Sequence, residues 1–322
     1  MDKLMQDANR FVSDMVEGLV LAHPDLYAKV DGVNVIKRKE PLNGKVALVS
    51  GGGSGHEPAH AGFIGDGMLA AAVCGEVFTS PTPDMVLEGI KAADGGKGVL
   101  LVVKNYSGDV MNFDMAKELA ELEDIEVETV IVRDDIAIKK EEDRRGVAGT
   151  IFVHKIAGAA AAEGKSLAEV KAVAEKVIAG VRSIGMALSP CYMPESGKPG
   201  FDLHEDEMEI GIGIHGEKGL ERKPIASVDA IVTELLGRLT AEVTDKKVAV
   251  MVNGMGGTPE SELYITYKYV AEQLQAKGYD IVRPFVGNYM TSLEMHGFSI
   301  TLLPVDDELV GYLDAKTNAI GF

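Results

Sequence analysis

A pair of α/β domains, each with a largely parallel or mixed central sheet flanked by helices, is what the sequence predicts, on three observations. Short apolar runs bounded by glycine or polar residues alternate with segments that repeat apolar residues at helical spacing. The chain has 322 residues, against about 150 for one domain. And a stretch rich in proline, glycine and serine, Ser183–Phe201, separates a long helical pattern from a new strand series. The expected division therefore puts residues 1–183 in one domain and 184–322 in the other.

The expected strands are Val46–Ser50, Val99–Val103, Val127–Val132, Met208–Ile214, Val248–Val252 and Phe298–Leu303, all short apolar runs with polar or glycine ends. Pro83–Ala93 opens with proline, which suits a first helical turn. Ser166–Val181 opens with serine three residues before Glu169, a capping-box signature. Met111–Leu122, Ile225–Leu239 and Glu260–Ala276 also repeat at helical spacing, the last closing at Gly278. No repeat of 20–50 residues is visible, so a solenoid is not expected.

Net charge is −18, with no basic stripe. That argues against nucleic acid and anionic membranes as partners and fits a neutral polar ligand. The longest apolar run, near Gly98–Val103, is far too short to span a bilayer, and Met1–Arg10 does not read as a signal peptide. Cys74 and Cys191 are far apart, as in a reduced cytoplasmic protein, and Cys74 in MLAAAVCG reads as a small core residue.

GGGSGHEPAH, Gly51–His60, contains the His-Glu-x-x-His pattern of zinc proteases. Such a site needs both histidines on one helical face, and Pro58 inside that helix would cost about 3 kcal/mol. Pro58 fits better at a first helical position, with Glu57 as N-cap, His56 outside and His60 in the first turn. No metal site is expected there.

Loops after strands are the usual ligand positions in α/β folds. The glycines at Gly51, Gly52, Gly53 and Gly55 allow a ligand to approach backbone amides, with His56 at the loop's end. A tight strand–helix turn with a surface histidine fits that loop equally well. GVLLVVKNYSGD ends in Lys104 and Asp109, and taken alone Asp109 reads as a cap of the helix at Met111. MEIGIGIHGEKG alternates isoleucine with glycine and delivers His215. MVNGMGGTPESE reads as a strand–helix turn started by Thr258 and Pro259, which packing alone could require. A lone histidine is usually structural, but two histidines and an aspartate on three strand-end loops favour a site.

In order, GGGSGHEP, CGEVFTSPTPD, KNYSGD, RRGVAGT, GIGIHGE and TSLEMHGFSITLL resemble the substrate-binding subunit of dihydroxyacetone kinase, over nearly the whole chain. The resemblance implies that His215 attacks the ketone carbon to form a hemiaminal. His56 and Asp109 would flank the ketone and assist proton transfer. Gly53, Ser54, Gly55 and His56, with Lys104 and Asp109, would contact the substrate. The family usually has a proline after HGE, where this chain has Lys218.

The chemistry is coherent. Neutral imidazole, with an ordinary pKa of about 6.5, is a competent nucleophile. A covalent bond to carbon selects a ketone over glycerol and fixes the terminal hydroxyl for phosphoryl transfer, with Asp109 as proton acceptor. No Walker loop, kinase glycine loop or Mg²⁺-spaced carboxylate set is present. The resemblance is to the short, phosphotransferase-dependent type, which binds no cofactor of its own. ADP or ATP and Mg²⁺ are expected on a separate nucleotide-binding subunit recharged by a phosphocarrier protein, and the substrate subunit is expected to be a cytoplasmic homodimer. Related chains instead serve as ketone-sensing coactivators of a transcription regulator, and Lys218 leans that way.

Overall fold

The structure, a computed structural model, describes residues 3–322. The chain splits into two compact units that interleave along the sequence. One takes the described residues up to Val132, Thr150–Ile178 and Tyr312–Phe322; the other takes Arg133–Gly149 and Ala179–Gly311.

The first unit opens with α1 (Phe11–Ala22), β1 (Tyr27–Lys29), β2 (Val35–Arg38), β3 (Ala47–Ser54), β4 (Ala71–Val77), α2 (Pro83–Ala93), β5 (Val99–Lys104), α3 (Ser107–Glu121) and β6 (Val127–Val132). Its six-stranded sheet runs β1-β2-β4-β3-β5-β6. The four strands β4, β3, β5 and β6 are parallel, and β1 and β2 extend the sheet antiparallel. Val86 and Ile90 of α2 and Phe113 and Ala116 of α3 bury their apolar stripes against Val49, Val73 and Leu101 of the sheet. Two more helices, α4 (Thr150–Ala162) and α5 (Leu167–Gly180), follow. α4 is buried on nearly every face, so it lacks the amphipathic spacing by which the sequence would betray it. The capping box of α5 is formed: Ser166 N donates to Glu169 Oε2 (2.8 Å) and Glu169 N to Ser166 Oγ (3.4 Å).

The second unit contains β7 (Arg182–Ala187), β8 (Glu207–Ile210), β9 (Glu221–Pro224), α6 (Val228–Glu242), β10 (Lys247–Gly254), α7 (Glu260–Ala276), β11 (Asp280–Gly287) and β12 (Gly297–Pro304), with α8 (Asp307–Asp314) after them. Its sheet, ordered β11-β10-β12-β7-β8-β9, is mixed: only β10 and β11 are parallel. Leu235 and Leu239 of α6 and Leu263 and Val270 of α7 pack with Val250 and Ile300. Among the described residues no helix is long and apolar enough to cross a membrane.

The compact units differ from the single cut expected at 183/184. The start of the expected linker is β7, a central strand paired with both β12 and β8. Segment 133–149 joins the same unit because Ser183 N donates to Asp134 O (2.7 Å) and Ile136 N to Ser183 O (2.9 Å). Asp134 locks this junction. Its buried carboxylate accepts from Val147 N (2.8 Å), Gly149 N (2.8 Å) and Ser183 Oγ (2.5 Å). The C-terminal segment returns to the first unit, where buried Lys155 donates to the carbonyls of Tyr312 (2.8 Å) and Ala315 (2.6 Å). Neither tie has a local sequence signature.

Asp134→Ala leaves two buried amides unsatisfied, each worth about 1–3 kcal/mol. The expected loss is about 3 kcal/mol in urea unfolding, with Asp134→Asn losing less because one acceptor oxygen remains.

Candidate functional site

In the first unit the glycine run is strand, not loop. β3 continues through Ser54, and Gly51, Gly52 and Gly53 pair in parallel register with Val73, Cys74 and Gly75. The absence of side chains permits this. A Cβ on Gly51 would collide with the Val73 carbonyl, and one on Gly53 would lie 2.5 Å from Thr79 N. Gly52 has φ +145°, and a Cβ there would meet Asp109 Oδ2 at 3.2 Å and Lys104 Nζ at 3.4 Å. The backbone at Gly52 thus sits directly against the two charged side chains delivered by β5 and α3.

Pro58 does not start an α-helix. Residues 57–60 turn into a short 3₁₀ helix, Ala61–Phe63, so the expected helical first turn at Pro58 and the N-cap at Glu57 are not formed. Both Glu57 oxygens instead accept from Gly55 N, each at 3.1 Å, and tie down the turn after β3. His56 is fully buried rather than on the surface, its ring stacked on Phe78 at 5.2 Å between centroids. Ser54 Oγ donates to Gly75 O (2.7 Å), holding β3 to β4.

α3 begins at Ser107, earlier than expected, with Tyr106 in the cap position. Asp109 is therefore inside the first turn rather than capping it, with its carboxylate at the helix's positive end. It is buried, and Oδ1 has no hydrogen-bond partner among the described residues. Such an acceptor is costly unless something donates to it. Lys104 is buried as well, with Nζ 5.4 Å from the Tyr106 ring centroid.

Behind these groups lies a pair that local sequence patterns do not reveal. His60 Nδ1 is 2.9 Å from His154 Nε2 and 3.4 Å from Ser50 Oγ, whose own hydrogen goes to Val102 O (2.7 Å). Burial, reinforced by the nearby Lys104 charge, lowers both rings: His154 to about 3, His60 well below its ordinary value. His60 and His154 are 94 residues apart in sequence and meet because α4, which carries His154, packs on β3 and β5. Among the described residues no group of three His, Cys, Asp or Glu side chains could hold a metal ion.

His215 belongs to the second unit. β8 stops at Ile210, short of the expected Ile214, because Gly211 turns the chain at φ +79°. His215 N donates to Glu217 Oε2 (2.9 Å), and its Nδ1 lies 2.7 Å from Glu217 Oε1. Gly213 N donates to Glu217 O (3.0 Å) and closes the loop. Burial opposes ionisation of Glu217, but the hydrogen bonds and charge of His215 outweigh it and bring the carboxyl to about 2. An ionised carboxylate only accepts, so Nδ1 carries the proton, and in the neutral ring the lone pair lies on Nε2. Glu217 sits in the quoted motif, but its role depends on a loop shape set by Gly211 and Gly216, both at φ +79°.

The structure thus gathers Gly52, Lys104 and Asp109 at one point of the first unit, with Ser54, Gly55 and His56 on the adjoining strand end. In the second unit it orients His215 against Glu217.

Two α/β units, one with buried charges against a glycine strand and one with a carboxylate-oriented histidine, define the class: an α/β protein with buried polar groups suited to a small polar ligand. A family model described as the Dak1 domain matches residues 17–321, and the chain belongs to that family. It is 55% identical over 314 residues to the PTS-dependent dihydroxyacetone kinase 1, dihydroxyacetone-binding subunit DhaK of Listeria innocua, covering 96% of this chain and 95% of that one. The dihydroxyacetone kinase of C. freundii aligns with TM-score 0.93 and 37% identity, over 99% of this chain and 60% of the other. A dihydroxyacetone kinase operon co-activator, DhaQ, aligns with TM-score 0.91 and 37% identity, over 95% and 97%.

The unfolded chain protonates His60 and His154 near pH 6.5, whereas the folded chain keeps them neutral. Their contribution to stability is therefore full above pH 6.5 and falls away as pH drops toward about 3, the folded value of His154. Urea midpoints should decline over that window, and His154→Gln, which cannot titrate, should show a shallower decline.

Proposed function

We propose that this chain is the ketone-binding subunit of a phosphotransferase-system-dependent dihydroxyacetone kinase. The carrying observation is the His215–Glu217 pair, in which Glu217 holds Nδ1 and the lone pair of the neutral ring falls on Nε2. The lone pair of Nε2 attacks the ketone carbon, and a nitrogen–carbon bond forms as the carbonyl π pair moves to oxygen. That oxygen takes up a proton, with His56 as the assigned donor. The anionic Glu217 balances the charge on the substituted ring. Asp109 accepts the proton of the terminal hydroxyl as that oxygen attacks phosphorus, and Gly53, Ser54, Gly55 and Lys104 contact the substrate. The unpartnered Asp109 oxygen supports this role, since a substrate hydroxyl would satisfy it.

The phosphate donor is a nucleotide on a separate subunit, with ADP or ATP and Mg²⁺ there and a phosphocarrier recharging it. Relatives named as PTS-dependent kinase subunits support this assignment. The likeness to the DhaQ co-activator favours a second reading, a non-catalytic ketone sensor. Mixing the chain with a nucleotide-loaded partner and dihydroxyacetone separates the two: phosphate ester forms only on the kinase reading.

With 2-¹³C-labelled dihydroxyacetone, the wild-type protein should convert the carbonyl resonance to that of a tetrahedral carbon. His215→Ala should abolish the conversion with the fold intact; a tetrahedral signal persisting in this variant would overturn the nucleophile assignment.

Asp109→Asn should keep the adduct but slow phosphoryl transfer by about 10² to 10⁴, the usual worth of a general base. Turnover near the wild-type rate would make Asp109 a structural residue of α3.

A further inference from the structure

The second unit contains a buried ion pair that the chemistry above does not use. Arg145 Nε donates to Asp135 Oδ2 (2.8 Å), and its Nη2 lies 2.7 Å from the same oxygen. Both residues are buried, and Asp135 Oδ1 is engaged by Ala137 N (3.0 Å), so the carboxylate is fixed to its own turn. A buried pair of this kind contributes little net stability, because desolvation offsets the attraction; it is often retained to fix a geometry.

The rest of the guanidinium points to the His215 loop. Nη2 also donates to Gly211 O (2.9 Å), the carbonyl of the residue that ends β8 and starts the loop. A Cβ on Gly213 would lie 2.6 Å from Arg145 Nη1 and collide with Glu217 Oε2. Guanidinium and carboxylate therefore flank one backbone position, and that carboxylate orients His215. The rigid planar fork holds the Asp135 carboxylate and the Gly211 carbonyl at once, which a lysine ammonium on a flexible stem does not reproduce.

We propose that Arg145, anchored by Asp135, is a positioning residue for His215: it fixes the Gly211–Glu217 loop so that Glu217 holds Nδ1–H and the ring lone pair lies on Nε2. This rests on the reading of His215 as the ketone nucleophile. The step it serves is the attack already described, and Arg145 exchanges no proton in it.

Two variants test the role. Arg145→Lys keeps the charge, and Asp135→Asn/Arg145→Gln removes both charges without stranding either. In ketone-free protein carrying ¹⁵N-histidine, long-range ¹H–¹⁵N correlations report the tautomer of His215, assigned by loss of its signals in His215→Ala. The wild-type protein should show the Nδ1–H form, and both variants a mixture of tautomers. With 2-¹³C-dihydroxyacetone, both variants should form the tetrahedral adduct at least tenfold more slowly, while near-ultraviolet circular dichroism stays native. Wild-type tautomer and adduct rate in both variants would overturn the proposal. Loss of native structure in both would also overturn it, by making Arg145 a folding residue. If the wild-type protein forms no adduct, the nucleophile reading fails, and the tautomer measurement alone decides whether Arg145 orients the ring.

Discussion

Close backbone approach at the end of β3 is the constraint on which the first unit's site depends. Three successive glycines let the strand run against β4 and Thr79 with no side chain between. The same absence at Gly52 opens the space where Lys104 and Asp109 meet. A methyl group there would press on both. Burial then determines the chemistry: a lysine and an aspartate held away from water exert stronger fields on a small polar molecule than they would on the surface. The neutral His60–His154 pair behind them adds polar groups without adding a charge that would compete with Lys104.

The second unit solves a different problem. An imidazole can attack carbon only if one nitrogen is bare, and in water either nitrogen can carry the proton. Glu217 removes that ambiguity by accepting from both the backbone and the ring of His215. Glycine is again the enabling residue: Gly211 and Gly216 bend the chain through positive φ, and Gly213 leaves room for the carboxylate. The turn is short, and Arg145 from elsewhere in the unit donates to the carbonyl of Gly211 at its start.

Membership of the Dak1 family and the chain's strong acidity fit together. A net charge of −18 disfavours free anionic ligands, yet a neutral ketone approaches without electrostatic penalty. A nucleotide held by another subunit would likewise be brought to the ketone by a protein surface rather than drawn in by this chain's field.

Composition and periodicity by themselves determined the α/β class, and the helices Pro83–Ala93 and Glu260–Ala276 run to the residues expected. Those signals are local: a proline at a first turn, an apolar stripe every three or four residues, a glycine after the last. The motif strings made His56, Asp109 and His215 legible as candidates because each adjoins a glycine after an apolar run, and the family resemblance added Lys104. Tertiary structure alone decided that the glycine run is strand, that Asp109 lies within α3, that β7 joins a central sheet and that the C-terminal segment returns to the first unit. It also decided the pairing of His60 with His154 and of Arg145 with the His215 loop. The reason is physical. A residue's neighbours across a sheet or along a buried helix are fixed by packing and by the need to satisfy buried polar groups, and neither leaves a periodic trace in the chain.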